Sequence, residues 1–162
     1  MTNATEYAQL SLAVYQTKRD FNTIEIPAGW ELAEPLHPDN WGGFSYGVFR
    51  RTGTDEIVLA FTGSNEKLVM DYVGTNAPAG LGLQSIQVPN AALAYQQVLD
   101  KYGVDDAGSN ITFSGHSLGG GLASVMATWF NRPAVVFDEA PFQLSAANPV
   151  LLAATRAFLF AN

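Results

Sequence analysis

A serine stands at the centre of the short pattern Gly-x-Ser-x-Gly, which residues 115–119 form with Ser117 in the middle. This pattern is typical of a sharp turn between a strand and a helix, where the serine oxygen is exposed and can attack a carbonyl carbon. The flanking residues agree, because Ile111–Ser114 predicts a short strand and Leu118–Phe130 predicts an apolar helix. The sequence therefore predicts nucleophilic acyl-transfer chemistry at Ser117. The alternative is a glycine-rich turn whose serine has no catalytic role.

The glycines on both sides of Ser117 have a steric explanation. The serine of such a turn occupies a strained backbone conformation, and side chains two residues away would collide with the strand and the helix. Gly115 and Gly119 occupy those positions, and two more glycines follow. The helix then points its N-terminal dipole and free N–H groups towards the oxygen on which negative charge would develop. Leu118 is therefore the predicted first donor of an oxyanion hole.

The segments around the turn alternate between strand and helix patterns. A helix is predicted from Asn3, which caps it together with Glu6, to about Gln16. Strands are predicted at Trp30–Ala33, Phe44–Arg51, Glu56–Phe61 and Ala134–Phe137, with a hairpin turn at Thr52–Asp55. This order indicates an α/β fold with a mainly parallel sheet flanked by helices, and with antiparallel strands at one side.

Two further segments carry expectations about the fold. Thr75–Gln87 is rich in Gly, Ala and Pro and predicts a loop, after which Asn90 predicts the start of a helix over Ala91–Tyr102. Val150–Ala161 is apolar at all but two positions, and a helix that is apolar nearly all round is normally buried on every side. We therefore expect residues 1–162 to be the N-terminal portion of a single larger domain, incomplete at its C-terminal side.

Composition and charge narrow the classes of partner. The 162 residues carry a net charge of −7, which argues against nucleic acid, and only 14% are charged, which argues against disorder. The chain has no cysteine, so disulfides and thiolate metal sites are excluded. No apolar run reaches the roughly 18 residues that a transmembrane helix needs. The N-terminus lacks the features of a signal peptide, so a cytoplasmic protein, or export without a cleaved N-terminal signal, is expected.

The stretch from Gly115 to Ala123 reads Gly-His-Ser-Leu-Gly-Gly-Gly-Leu-Ala and resembles the nucleophile elbow of a known family. That family is the class 3 lipases, the fungal-lipase-like branch of the α/β-hydrolase superfamily. A weaker match is Asp71-Tyr72, where the family has Asn/Asp-Trp. The resemblance runs from about Thr5 to Pro141. It implies an α/β-hydrolase-type fold and hydrolysis of lipid or other acyl esters, for which no metal and no cofactor are needed.

A second match to the family concerns the oxyanion hole. Ile57–Ser64 resembles the family's strand ending in Phe-Arg-Gly-Ser/Thr, whose final residue helps to form this hole, with Thr62 in place of the arginine. The resemblance makes Ser64 the second donor beside the N–H of Leu118. A turn or capping serine is the alternative. The amphipathic segment Glu66–Met70 corresponds to the family's lid, and ordinary core packing is the alternative for it.

The general base for Ser117 is not evident from the order of residues. Triads of α/β hydrolases follow the order Ser, Asp/Glu, His, and no histidine follows Ser117. His116 lies within the turn, where packing or a local hydrogen bond is expected, and His37 is either a base in reversed order or a turn residue. Asp138, after the strand Ala134–Phe137, is the candidate acid, or else a polar residue at a strand end.

Two functions fit these observations. The first is a serine carboxylic ester hydrolase of the lipase, phospholipase or esterase kind, whose base is a histidine in a C-terminal remainder beyond residue 162. The second is a non-catalytic α/β-hydrolase-like binding or assembly module without a complete triad. Acyl transfer to an acceptor other than water would use the same site and stays open. In the first case, residues 1–162 alone should be strongly impaired in catalysis.

Overall fold

The computed structural model describes residues 2–17, 24–37, 44–63 and 77–162, and these residues form five strands and five α-helices. In chain order the elements are α1 (Ala4–Ala13) with a following 3₁₀ turn (Val14–Thr17), β1 (Trp30–Leu32), β2 (Tyr46–Arg51), β3 (Ile57–Phe61), α2 (Ala77–Tyr102), β4 (Ile111–His116), α3 (Leu118–Phe130), β5 (Ala134–Phe137), α4 (Gln143–Ala146) and α5 (Pro149–Ala161).

The strands form one mixed sheet in the order β1-β2-β3-β4-β5. The β1–β2 and β2–β3 pairs are antiparallel, whereas the β3–β4 and β4–β5 pairs are parallel. The predicted α/β class, with antiparallel strands at one side, is thereby confirmed. At the edge where the parallel strands end, one row of paired residues crosses the sheet through Tyr46, Phe61, Gly115 and Val136. Ser117 follows this edge, so the parallel half of the sheet carries the predicted turn.

Strand β3 is buried on both faces of the sheet, as its continuous apolar sequence requires. Ile57, Leu59 and Phe61 belong to the core that includes the buried side chains of α2 and α3. Val58 and Ala60 belong to a second core that includes the buried side chains of α1. The sheet therefore lies between α1 on one face and the pair α2 and α3 on the other.

Helix α1 begins with the predicted capping box. The Asn3 side chain accepts a hydrogen bond from the Glu6 N–H at 3.0 Å, and the Glu6 carboxylate accepts one from the Asn3 N–H at 2.8 Å. These bonds satisfy two N–H groups that would otherwise have no partner at the helix start. After Ala13 the chain tightens into the 3₁₀ turn, which contains the buried Tyr15.

Helix α2 is continuous over Ala77–Tyr102, which corrects the loop predicted for Thr75–Gln87 and the helix start predicted at Asn90. The pattern was misleading because Pro89 lies inside the helix, and proline removes a backbone N–H and usually ends a helix. Val88, immediately before the proline, is completely buried in the core. Packing against the sheet therefore holds the chain helical through a residue of poor intrinsic helix propensity.

Helix α5 is the apolar helix predicted near the end of the sequence, and one of its faces packs against α2. Leu151 and Thr155 are the buried residues of that face. On the outer side, Val150 is 75% exposed and Phe160 is 97% exposed, so apolar surface faces outwards. Among the described helices, none is both long enough and apolar enough to cross a bilayer.

Candidate active site

Ser117 forms the turn between β4 and α3, with a backbone φ of 56° and ψ of −124°. A positive φ is rare for a residue with a side chain, and such a conformation costs about 1–3 kcal/mol unless its surroundings enforce it. The strain falls on one residue, because His116 is the last residue of β4 and Leu118 is the first of α3. The strained turn predicted from the glycine spacing is therefore present at Ser117.

Three backbone hydrogen bonds hold Ser117 in this conformation. Its N–H donates to the carbonyl oxygen of Phe137, at the end of β5, at 3.1 Å. Its carbonyl oxygen accepts from the N–H of Gly121 at 3.0 Å and from the N–H of Ala140 at 2.9 Å. The helix, the neighbouring strand and the loop after that strand thus all constrain the same residue, which is how a structure maintains a strained conformation.

Replacing Ser117 with glycine is expected to give a fold about 1 kcal/mol more stable towards unfolding than replacing it with alanine. Glycine adopts a φ of 56° without a steric penalty, and this gain exceeds the extra entropy of glycine in the unfolded chain. Urea unfolding of the two variants measures the difference, and neither has a nucleophile to complicate the comparison. A more stable Ser117→Ala variant would contradict the strained turn.

Glycines allow the helix start to lie directly against the ends of two strands. A Cβ built on Gly119 would lie 2.2 Å from the carbonyl oxygen of Phe61, at the end of β3. A Cβ built on Gly115 would lie 2.4 Å from the carbonyl carbon of Gly119. Both atoms belong to the backbone, which cannot move aside cheaply. The glycine at each end of the pattern is therefore required by the close approach of α3 to the sheet.

Gly119→Ala is expected to lower the free energy of unfolding by about 3 kcal/mol, because the new methyl group collides with the Phe61 carbonyl. The higher helix propensity of alanine would favour the variant by only about 1 kcal/mol. Gly53→Ala is the control, since Gly53 has a φ of 74° but no atom within 4 Å of an added Cβ. That control should lose about 1 kcal/mol from backbone strain alone. Equal losses in urea unfolding would contradict the tight contact at Gly119.

Of the two predicted donors of the oxyanion hole, Leu118 belongs to the described part of the chain and directly follows Ser117. The N–H of Leu118 has no acceptor among the described residues, as expected for the first N–H of a helix. On the other segment, a Cβ built on Gly63 would lie 3.5 Å from the Ser117 Cβ. The chain that leaves β3 therefore lies against the turn. Three predicted features lie outside the described residues: Ser64, Glu66–Met70 and Asp71-Tyr72.

Asp138 and His116 approach each other beside the turn. The His116 Nε2 lies 3.9 Å from a carboxylate oxygen of Asp138, whose side chain is 95% exposed. An exposed contact of this length contributes little to stability. The His116 ring also meets the Tyr15 ring edge-on, with 6.5 Å between the ring centres, which agrees with the packing expected for His116. The structure thus brings the candidate acid close to the turn but into contact with His116.

His37 lies on the far side of β2 from the turn. It forms an isolated bridge with Tyr46 at the start of β2, so three strand spacings, about 14 Å, separate its backbone from β4. Its Nε2 lies 3.0 Å from the Glu34 carboxylate, and its ring stacks on the Tyr46 ring with 4.1 Å between centres. These contacts hold the His37 side chain beside β1 and β2, beyond hydrogen-bond reach of Ser117.

Glu34 is the centre of the polar cluster that holds His37. Besides His37, its carboxylate accepts hydrogen bonds from the Lys101 ammonium at 2.5 Å and the Tyr102 hydroxyl at 3.2 Å. Burial alone would raise the pKa of Glu34, but the hydrogen bonds from Lys101 and His37 lower it below its usual value. Burial, and secondarily the charge of Glu34, raise the pKa of Tyr46 to about 12.

Residues 6–150 match the model of a protein family described as Phospholipase-like, Tle-like phospholipase domain. The matched range includes the strained turn, all five described strands and helices α2 to α4, but almost none of α5. The chain belongs to this family. Membership places the Tle-like phospholipase domain among lipase-like proteins, in agreement with the resemblance of its Gly115–Ala123 segment to lipase elbows.

Two fungal lipases have structures similar to this Tle-like phospholipase domain. The lipase of Rhizopus microsporus var. chinensis superposes with a TM-score of 0.54 at 16% identity, covering 96% of this chain and 62% of the lipase. The Rhizomucor miehei lipase, in a propeptide complex, superposes with a TM-score of 0.50 at 14% identity, covering 78% of this chain and 45% of the lipase. The predicted α/β-hydrolase-type fold and the resemblance to fungal lipases are confirmed. No curated protein matches the sequence.

The Tle-like phospholipase domain therefore spans less than two thirds of the length of either lipase chain.

One residue beside the turn at Ser117 could not be identified from the sequence. Tyr15 follows the predicted apolar face of the first helix, and its hydroxyl contacts both Gly63 and His116. Both contacts join residues distant in the sequence, so no local pattern identifies them.

Proposed function

We propose that this domain carries the nucleophile of a serine carboxylic ester hydrolase that acts on phospholipids or other acyl esters. The observation that carries the proposal is the strained backbone of Ser117 at the start of α3, next to the Leu118 N–H, which has no acceptor among the residues that the structure describes. This is the arrangement that an exposed serine nucleophile and its first oxyanion donor require. Membership of a phospholipase-like family supports a lipid ester as the substrate.

In the proposed reaction, the Ser117 oxygen attacks the acyl carbonyl carbon while a base takes the hydroxyl proton. The negative charge on the carbonyl oxygen is stabilised by the N–H of Leu118 and by Ser64, the second proposed donor. The ester C–O bond then breaks, and the base returns the proton to the leaving alcohol. Water cleaves the acyl-enzyme in the same way and releases a fatty acid. These steps need neither a metal ion nor a cofactor.

We propose that the base is a histidine from outside these 162 residues. The chain has two histidines. His37 is held by Glu34 about 14 Å from β4, and His116 packs against Tyr15. The adjoining part of a longer protein is the expected source, and Asp138 is the candidate acid within the chain because its carboxylate lies exposed beside the turn.

Labelling with a fluorophosphonate tests the nucleophile. The complete gene product that contains this chain is expected to form an adduct on the peptide that carries Ser117, located by mass spectrometry. Ser117→Ala should abolish the adduct. Ser109→Ala is the matched control, because Ser109 is an exposed serine in the turn that precedes β4, and it should label like the wild type. An adduct on another residue would overturn the assignment of Ser117.

The products test the bond that is cleaved. Attack on an acyl carbonyl releases free fatty acid and lysophospholipid from phosphatidylcholine vesicles, whereas attack on the phosphodiester would release the head group. Mass spectrometry of the lipid extract separates the two outcomes.

The second candidate function is a binding or assembly module. It is favoured by the contacts of His37 with Glu34 and of His116 with Tyr15, which leave neither histidine placed to act as the base. Failure of the complete gene product both to label and to release fatty acid would support that module.

A further inference from the structure

Tyr15 connects the two chain segments that meet at Ser117. It lies in the 3₁₀ turn after α1 and is only 8% exposed. Its hydroxyl oxygen accepts a hydrogen bond from the Gly63 N–H at 2.7 Å and donates to the His116 carbonyl oxygen over a longer 3.4 Å. One phenol group therefore binds the chain leaving β3 and the chain leaving β4.

The two bonded residues directly precede the proposed machinery. Gly63 precedes Ser64, the proposed second donor, and His116 precedes Ser117. A Cβ built on Gly63 would lie 2.4 Å from the Tyr15 hydroxyl oxygen and 3.5 Å from the Ser117 Cβ. The Tyr15 hydroxyl and the Ser117 side chain therefore both lie close to Gly63. The hydroxyl therefore holds Gly63 against the turn at Ser117.

Different contacts hold the two segments. Ser117 is fixed by three backbone hydrogen bonds to β5, α3 and the following loop. Gly63 lies beyond the last residue of β3, where the ladder to β4 has ended. The short bond from its N–H to the buried Tyr15 hydroxyl is a contact that holds Gly63 beside the turn.

We propose that Tyr15 is a positioning residue for the hydrolysis reaction, which holds the segment after β3 at the correct distance from Ser117. This inference rests on the proposed function. Tyr15 does not touch the reacting atoms, and it acts through Gly63 and His116. A displacement of about 1 Å in such a site can lower the rate about 100-fold. Loss of the hydroxyl should therefore affect transition-state stabilisation more than substrate binding.

The test compares Tyr15→Phe with Tyr95→Phe in the complete gene product, by steady-state release of fatty acid from a soluble short-chain phosphatidylcholine. Tyr95 is a matched control, since it is 3% exposed and its hydroxyl donates to the Ala107 carbonyl oxygen at 3.2 Å, in the turn before β4. Tyr15→Phe is expected to lower kcat about 10- to 100-fold with KM within twofold, whereas Tyr95→Phe should change both by less than twofold. Thermal unfolding of both variants shows that they fold.

The outcomes separate this inference from the proposed function. If Ser117→Ala abolishes turnover and Tyr15→Phe behaves like Tyr95→Phe in kcat and KM, only the role of Tyr15 is overturned. If Tyr15→Phe and Tyr95→Phe both lose stability while kcat stays unchanged, Tyr15 likewise has only a structural role. If Ser117→Ala turns over at the wild-type rate, the proposed function is overturned and the role of Tyr15 with it.

Discussion

Ser117→Ala is expected to lower kcat for fatty acid release from phospholipid by about 10⁴- to 10⁶-fold in the complete gene product. Alanine removes the attacking oxygen but keeps the Cβ, so the turn and its three hydrogen bonds have no reason to change. The residual rate would come from substrate binding and the oxyanion donors alone. Rates are measured by titration of released acid, with circular dichroism to verify the fold.

Ser109→Ala provides the control for this effect. Its hydroxyl donates to the Asp105 carboxylate at 2.6 Å in an exposed turn, so its loss should leave kcat within twofold. A Ser117→Ala variant that retained more than about 1% of the wild-type rate would indicate a different nucleophile. The strained turn at Ser117 would then be structural.

Residues 1–162 produced alone are expected to hydrolyse p-nitrophenyl butyrate at least about 10³-fold more slowly than the complete gene product. The physical reason is the position of the two histidines. The His37 ring is held by Glu34 and Tyr46, and the His116 ring packs against Tyr15. Without a base, the Ser117 hydroxyl keeps its proton and is a weak nucleophile.

The comparison requires both proteins to be folded, which circular dichroism and a cooperative unfolding transition establish. His37→Ala in residues 1–162 is the internal control and should leave the low rate unchanged. Equal rates for the two proteins, together with loss of activity in His37→Ala, would identify His37 as the base. That result would require His37 to leave its contacts with Glu34 and Tyr46.

Local patterns predicted the elements around Ser117 well. The predicted bounds of α3 and β5 agree with the structure, because a glycine-flanked turn and an apolar run bounded by polar residues are determined by neighbours in the sequence. The strain at Ser117 could be predicted for the same reason. Gly115 has its close contacts with Gly119 and Gly120 within the turn, whereas the close contact of Gly119 is with the distant Phe61.

Features that depend on distant contacts could not be predicted. Helix α2 passes through Pro89 because Val88, directly before it, is buried in the core, and local propensity contains no information on that packing. Tyr15 reaches Gly63 from 48 positions away along the chain. The sequence alone also left His37 open as a base, and only the sheet order shows that two strands, β2 and β3, lie between it and β4.

The attachment of Ser117 to β5 has a consequence for the behaviour of the protein on heating. Within the described sheet β5 is an edge strand, and all four of its residues are partly exposed, whereas β3 is buried throughout. Peripheral segments open at lower free energies than the whole domain. Moderate warming would release the carbonyl of Phe137 from the Ser117 N–H while the central strands stay paired. In residues 1–162 the strained turn at Ser117 would therefore lose this restraint at a temperature below that of global unfolding, and would regain it on cooling.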